Sequence, residues 1–111
     1  MLHIALHVLV PLAVARAFYE GRWLRVFVIL VATVLVDVDH LLADPVYDPQ
    51  RCSIGFHPLH RTGPIVAYAA LFALPFLPRV APSLKEPVRM LSLVGLGLLL
   101  HMALDWGDCL L

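Results

Sequence analysis

Apolar runs separated by polar breaks divide the chain into four segments: Leu2 to Phe18, Trp23 to Ala43, Pro64 to Leu77 and Val88 to Leu104. Runs of this kind read as helices, and two of the breaks read as tight turns. Tyr19-Glu20-Gly21-Arg22 turns the first pair through glycine, and the stretch from Pro78 to Pro87 turns the second pair through proline. The two hairpins are joined by a longer connection, Asp44 to Gly63, which carries Pro45, Pro49 and Pro58 and is polar enough to sit in water or among headgroups. Its length and composition suggest an ordered functional loop rather than a tether.

Composition decides which solvent these helices face. The chain of 111 residues is 61% hydrophobic, with a mean hydropathy of +0.88, whereas ordinary soluble domains are roughly half apolar. The expected fold class is therefore all-α: a polytopic membrane protein, a four-helix transmembrane bundle with a polar loop between helices 2 and 3, in a single domain over residues 1–111. Each run is short against the roughly 20 residues that a bilayer asks of a helix, the third most of all. A cleaved secretory signal fits the first run poorly, since its start lacks Lys or Arg and is interrupted by His3 and His7. Eight basic residues balance eight acidic ones, so no net field attracts nucleic acid.

The distribution of the basic residues orients the bundle. Arg16, Arg22, Arg25, Arg79, Lys85 and Arg89 flank the two tight turns, against only Arg51 and Arg61 on the opposite side. The positive-inside tendency puts both turns in the cytoplasm of a bacterial inner membrane, and the termini and the central loop on the extracytoplasmic side. Cys52 and Cys109 share that oxidising side, where they form a disulfide or stand as two free thiols. Tyr19, Trp23 and Trp106 read as interfacial anchors. Gly95 and Gly97 read as a close-packing face in the fourth helix, one that also allows homo-oligomers, and Pro11 and Pro75 as kinks.

All the histidines fall at the loop-bearing end: His3/His7, Asp37/Asp39/His40, His57/His60 and His101/Asp105, with Asp44, Asp48 and Asp108 close by. His3 and His7, four apart, share one helical face, as do His101 and Asp105. Asp37 and His40, three apart, also share a face while Asp39 points elsewhere, as a ligand to a second ion or as a carboxylate orienting an imidazole. Ionisable groups at membrane depth are costly unless paired or bound to metal. Nine residues are therefore candidate metal ligands: His3, His7, Asp37, Asp39, His40, His57, His60, His101 and Asp105. They exceed what one tetrahedral ion uses, so two or more divalent ions with a bridging aspartate are expected. Nitrogen and oxygen donors favour zinc, with manganese or iron as alternatives.

His3-x-x-x-His7, Asp37-Val38-Asp39-His40, His57-Pro58-Leu59-His60 and His101-x-x-x-Asp105 on four apolar helices resemble the bacterial inner-membrane-associated metal-dependent hydrolases. The similarity is strongest to a small uncharacterised four-helix branch, through Asp37 to Leu42, Asp48 to His60 and Leu100 to Asp105, and it covers nearly the whole chain. The resemblance implies the metal ligands but no particular activity. On the residues themselves, two ions at a membrane surface suit hydrolysis of a phosphoester or ester in a lipid-like substrate, with membrane lipid as the surrounding partner. Asp39 or Asp105 is the candidate general base, and Arg51 or Arg61 the candidate contact to a phosphate oxygen. The competing expectation is a non-catalytic protein in which metal serves as a structural staple or sensor.

Overall fold

The computed structural model describes residues 2–46, 48 and 50–110. Pro49 of the loop lies outside these residues. Among them the chain is all-helical, with four helices and no strands.

Helix α1 covers Leu2–Phe18 and runs through Pro11. Helix α2 covers Trp23–Ala32 and continues directly as a 3₁₀ segment, Thr33–Leu42. Helix α3 covers Thr62–Ala73 and α4 covers Lys85–Leu110.

Three expectations change here. The second run is not one α-helix: at Thr33 the hydroxyl donates to the Leu30 carbonyl at 2.6 Å, and a β-branched series (Thr33, Val34, Val36, Val38) follows, which weakens α-helical preference. Pro75 does not kink a helix, because α3 closes at Ala73 and Pro75 sits in the 3₁₀ turn Leu74–Phe76 after it. The fourth helix is longer than its apolar run at both ends. Pro87 falls in its first turn, where a missing N–H costs no hydrogen bond.

Helix α4 is the centre of the bundle and packs against the other three. Leu93, Gly97, His101 and Asp105 are all buried and spaced four apart, so they form one stripe along its length. On α1 the residues four apart from His3 are His7, Pro11 and Ala15, of which Pro11 and Ala15 are buried. Ala15 meets Leu93 in a core with Val26 and Leu30, while His7 meets His101 at the other end, ring centroids 4.4 Å apart. The two stripes therefore run antiparallel.

The glycines on α4 set the helix spacing. A Cβ at Gly95 would come 2.6 Å from the Phe72 amide nitrogen, and one at Gly97 would come 2.6 Å from Thr33 Cγ2. No side chain fits at either place, as the close-packing reading of the pair anticipates. A second core of Val36, Tyr68 and Met102 lies just beneath the histidines.

Among the described residues one helix, within Pro82–Leu110, is long and apolar enough to cross a membrane; α1 and the α3 run are apolar but shorter. Large apolar side chains nevertheless face outward on every helix, among them Ile4, Leu9, Leu24, Val28, Val66 and Leu91.

Candidate metal centre

The sharpest local feature behind the centre is the 3₁₀ segment. At three residues per turn, Thr33, Val36 and Asp39 eclipse one another and form its buried face. Asp39 is thus directed inward, where an α-helical reading had turned it away from Asp37 and His40. Its neighbours Asp37 and His40, also three apart, stay side by side with Nδ1 of His40 3.6 Å from Asp37 Oδ1.

The loop is held in place from its middle, at Cys52, to its second end. Cys52 and Cys109 form a disulfide, which resolves the two open readings of these cysteines in favour of a bond between the loop and α4. Gly55 has φ +83°, a left-handed conformation that favours glycine, and its N–H donates to the His60 carbonyl at 2.9 Å. Leu59 and Tyr68 secure the following turn: Leu59 N–H donates to Asp39 Oδ2 at 2.8 Å, and the Tyr68 hydroxyl donates to the Leu59 carbonyl at 2.9 Å. His60 is driven fully inside as a result, at 0% exposure.

Two groups of ligand atoms form around Asp105. In the first, Asp37 Oδ1 and Asp105 Oδ2 alternate with the Nε2 atoms of His60 and His101. His60 Nε2 lies 3.2 Å from Asp37 and 3.1 Å from Asp105; His101 Nε2 lies 2.9 Å and 3.3 Å from the same atoms. A tetrahedral ion with bonds of about 2.0–2.1 Å requires ligand–ligand edges of about 3.3 Å, close to all four separations. The second group is His3 Nε2 and His7 Nε2, each 3.3 Å from Asp105 Oδ1. One carboxylate therefore offers an oxygen to each group.

The hydrogen bonds show which way these imidazoles are poised. His60 donates through Nδ1 to Asp39 Oδ2 at 3.0 Å, and His7 donates through Nδ1 to the His3 carbonyl at 2.8 Å. In both neutral rings this leaves the Nε2 lone pair aimed at carboxylate oxygens. Consistently, His7 Nε2, His60 Nε2 and Asp105 Oδ2 are buried with no hydrogen-bond partner. Lone pairs converging on buried oxygens are repulsive unless a proton or a cation lies between them. Without an ion, a proton takes that place at His60: burial pushes its pKa down, but Asp105, Asp37 and Asp39 outweigh this and raise it to about 10.

Asp39 sits behind the ligands. Besides His60 and Leu59 it accepts from His40 Nδ1 at 3.1 Å, and His40 Nε2 reaches the Ser53 hydroxyl at 3.3 Å. Asp37, Asp39, His40 and His60 also offer atoms near enough to share an ion, but the bond to His60 gives Asp39 the position of a carboxylate that orients a ligand. His57 belongs to none of the ligand groups among the described residues. It is buried and stacked on His40, centroids 3.7 Å apart, and burial, then His40, hold its pKa below the ordinary imidazole value. Arg51 is directed to the loop itself, donating to the carbonyls of Pro45 and Val46 and covering the Phe56 ring. Arg61 reaches the Phe56 carbonyl.

Sequence comparison assigns a family. The chain belongs to DUF6122, a family of unknown function whose model matches residues 1–111. No curated protein and no solved structure matches it. The DUF6122 match covers the whole chain but carries no function, and it does not connect the chain to the metal-dependent hydrolases of the expected resemblance. In this DUF6122 chain the residues that sequence reasoning left out are Ser53, Leu59 and Tyr68, which support His40, Asp39 and the loop. Ser53 and Leu59 lie inside or beside the quoted motifs, but nothing in their type marks them as supports.

Proposed function

We propose that the protein is a membrane-embedded, metal-dependent hydrolase with a dinuclear His/Asp centre, acting on a phosphoester or ester of an amphiphilic substrate. The observation that carries the reading is the set of three buried, unpartnered atoms, His7 Nε2, His60 Nε2 and Asp105 Oδ2, all turned toward two shared points. Asp37, His60, His101 and Asp105 would hold one divalent ion, zinc by donor type, and His3, His7 and Asp105 would hold the other. Ions held there would supply Lewis acidity for the hydrolysis of an ester bond.

The chain's own groups divide the remaining work. Asp39 fixes the ring of His60, and Asp105 is committed to four imidazoles. Asp37 turns Oδ1 to His60 and His101, and with its side chain 38% exposed its other oxygen is the one left to accept a proton from an attacking water. This moves the base from Asp39 or Asp105 to Asp37, and leaves Arg51 as a loop clamp rather than a phosphate contact.

The bilayer reading rests on the outward apolar side chains and on element length. Helix α2 and its 3₁₀ continuation rise about 35 Å together, at about 1.5 and 2.0 Å per residue, against a hydrocarbon core of about 30 Å. With the basic turns cytoplasmic, the centre faces the extracytoplasmic side of a bacterial inner membrane. A second reading, a metal staple without catalysis, is favoured by one observation: one group offers four ligands, three of them (His60, His101 and Asp105) buried, and a full set of four protein ligands is what structural sites use.

Metal per chain, measured on detergent-solubilised protein reconstituted with zinc or manganese, tests both readings together with hydrolysis of a chromogenic phosphodiester in mixed micelles. Two ions with turnover that disappears in Asp37→Ala supports the hydrolase. One tightly held ion without turnover supports the staple, and no bound metal overturns both.

A further inference from the structure

Two adjoining cavities run from the opposite end of the bundle toward its middle. Arg22 in the turn before α2, Arg25 of α2 and Arg89 of α4 line a cavity of about 230 Å³, with Glu86 beside them. Glu86 accepts a hydrogen bond from Arg89 at 2.9 Å. Among the described residues, neither Arg22 nor Arg25 has a carboxylate within 4.0 Å. Three cations against one anion leave this cavity with surplus positive charge.

Ile29 and Met90 line this cavity and also a second one of about 430 Å³. The second is walled by apolar side chains of three helical runs, including Val36, Val94 and Leu98, with Tyr68 at the side nearer the histidines. The walls of the two cavities thus join into one feature, cationic at its mouth and apolar along its length. A free phosphate would satisfy only the mouth, and an alkyl chain only the trench. An amphiphile with an anionic head satisfies both.

We propose that these cavities form a binding site for an anionic phospholipid, with the phosphate held by Arg22, Arg25 and Arg89 and one acyl chain lying along Ile29 and Met90 into the apolar trench. Guanidinium groups suit this task, since each can meet two phosphate oxygens at once. The site is at the end flanked by most of the basic residues, where anionic headgroups of the cytoplasmic leaflet would lie. The proposal rests on the bilayer reading above and is independent of the metal.

Short-chain phosphatidylglycerol, used below its micelle concentration, tests it without requiring that the protein be in a membrane. In a Trp106→Phe background, Trp23 is the single tryptophan and sits beside Arg22, so its emission reports occupancy. Phosphatidylglycerol should bind at least tenfold more tightly than phosphatidylcholine with the same chains. Arg25→Gln with Arg89→Gln should weaken that binding tenfold or more while metal per chain is unchanged, and Arg79→Gln, which lines neither cavity, should leave it intact. Equal binding of the two lipids overturns the proposal, as does inorganic phosphate competing as strongly as the lipid or Arg79→Gln weakening binding as much as the double variant. Fractionation of cell membranes is read separately: a soluble protein sinks the bilayer reading, whereas lost lipid discrimination in a membrane-bound protein sinks this site alone.

Discussion

Replacing Asp39 by Asn isolates the difference between a metal ligand and the group that orients one. The Asp39 carboxylate is 3% exposed and accepts from Leu59 N–H at 2.8 Å, His60 Nδ1 at 3.0 Å and His40 Nδ1 at 3.1 Å. An asparagine of the same shape keeps its amide oxygen for Leu59 and His60, and turns its NH₂ toward His40. His40 can accept that N–H as the other tautomer, because its Nε2 faces a hydroxyl able to accept in turn. What His60 loses is the negative charge behind its ring. Partners of this kind are worth about 10–100-fold in metal affinity, or about 1.4–2.7 kcal/mol. Zinc titration against a chromophoric chelator should therefore show Asp39→Asn binding as many ions per chain as the native protein, each in the affected group 10–100-fold more weakly. Asp37→Asn, which alters a ligand, should instead lower the number bound. If Asp39→Asn lowers the number as Asp37→Asn does, Asp39 is itself a ligand; an unchanged affinity would mean that the His60–Asp39 bond does nothing for the ion.

Three further outcomes follow from the same geometry. His3→Ala with His7→Ala should leave one ion per chain and Asp105→Ala should leave none, by elemental analysis, because only Asp105 contributes to both groups. Since three carboxylates hold His60 protonated up to about pH 10, an entering ion must displace that proton; zinc affinity should rise with pH through the range 7 to 9, by up to about tenfold per unit, with proton release seen by calorimetry in two buffers. Gly97→Ala should destabilise the fold by about 1–3 kcal/mol in a denaturation experiment, as overpacking against Thr33 and Leu30 does.

Much of the site was legible because α-helical spacing governs half of it. His3/His7 and His101/Asp105 lie on regular helices, and a four-residue interval places each pair on one face. The helix ends of α1 and the glycine face of α4 were legible for the same reason. The failures lie where chemistry in the sequence does not specify geometry. Pro87 reads equally as a turn and as a first helical turn, and only the fold decides between them. His57 has the residue type and the neighbourhood of a ligand, and residue type alone does not give its stacking on His40.

The 3₁₀ segment is the most instructive departure, since it changes the roles and not merely the positions of residues. In an α-helix Asp37 and Asp39 are about 200° apart, and the pair cannot serve one site. At three residues per turn, Asp39 joins the buried row below Thr33 and Val36, while Asp37 and His40 form the adjacent row. The tight winding therefore sets the row of Asp37 and His40 beside the Asp39 carboxylate on a single element, which α-helical winding of the same residues would separate. The poorer hydrogen bonding of ten residues of 3₁₀ helix is a standing cost, offset where Asp39 secures the Leu59 turn and Thr33 fits against Gly97. Such a stretch would relax toward α-helix if those two contacts were removed together, and Asp39 would then leave His60. The winding and the candidate ligand cluster are thus linked through the Asp39–His60 bond, and the loop that carries His60 is tied by Cys52 to α4.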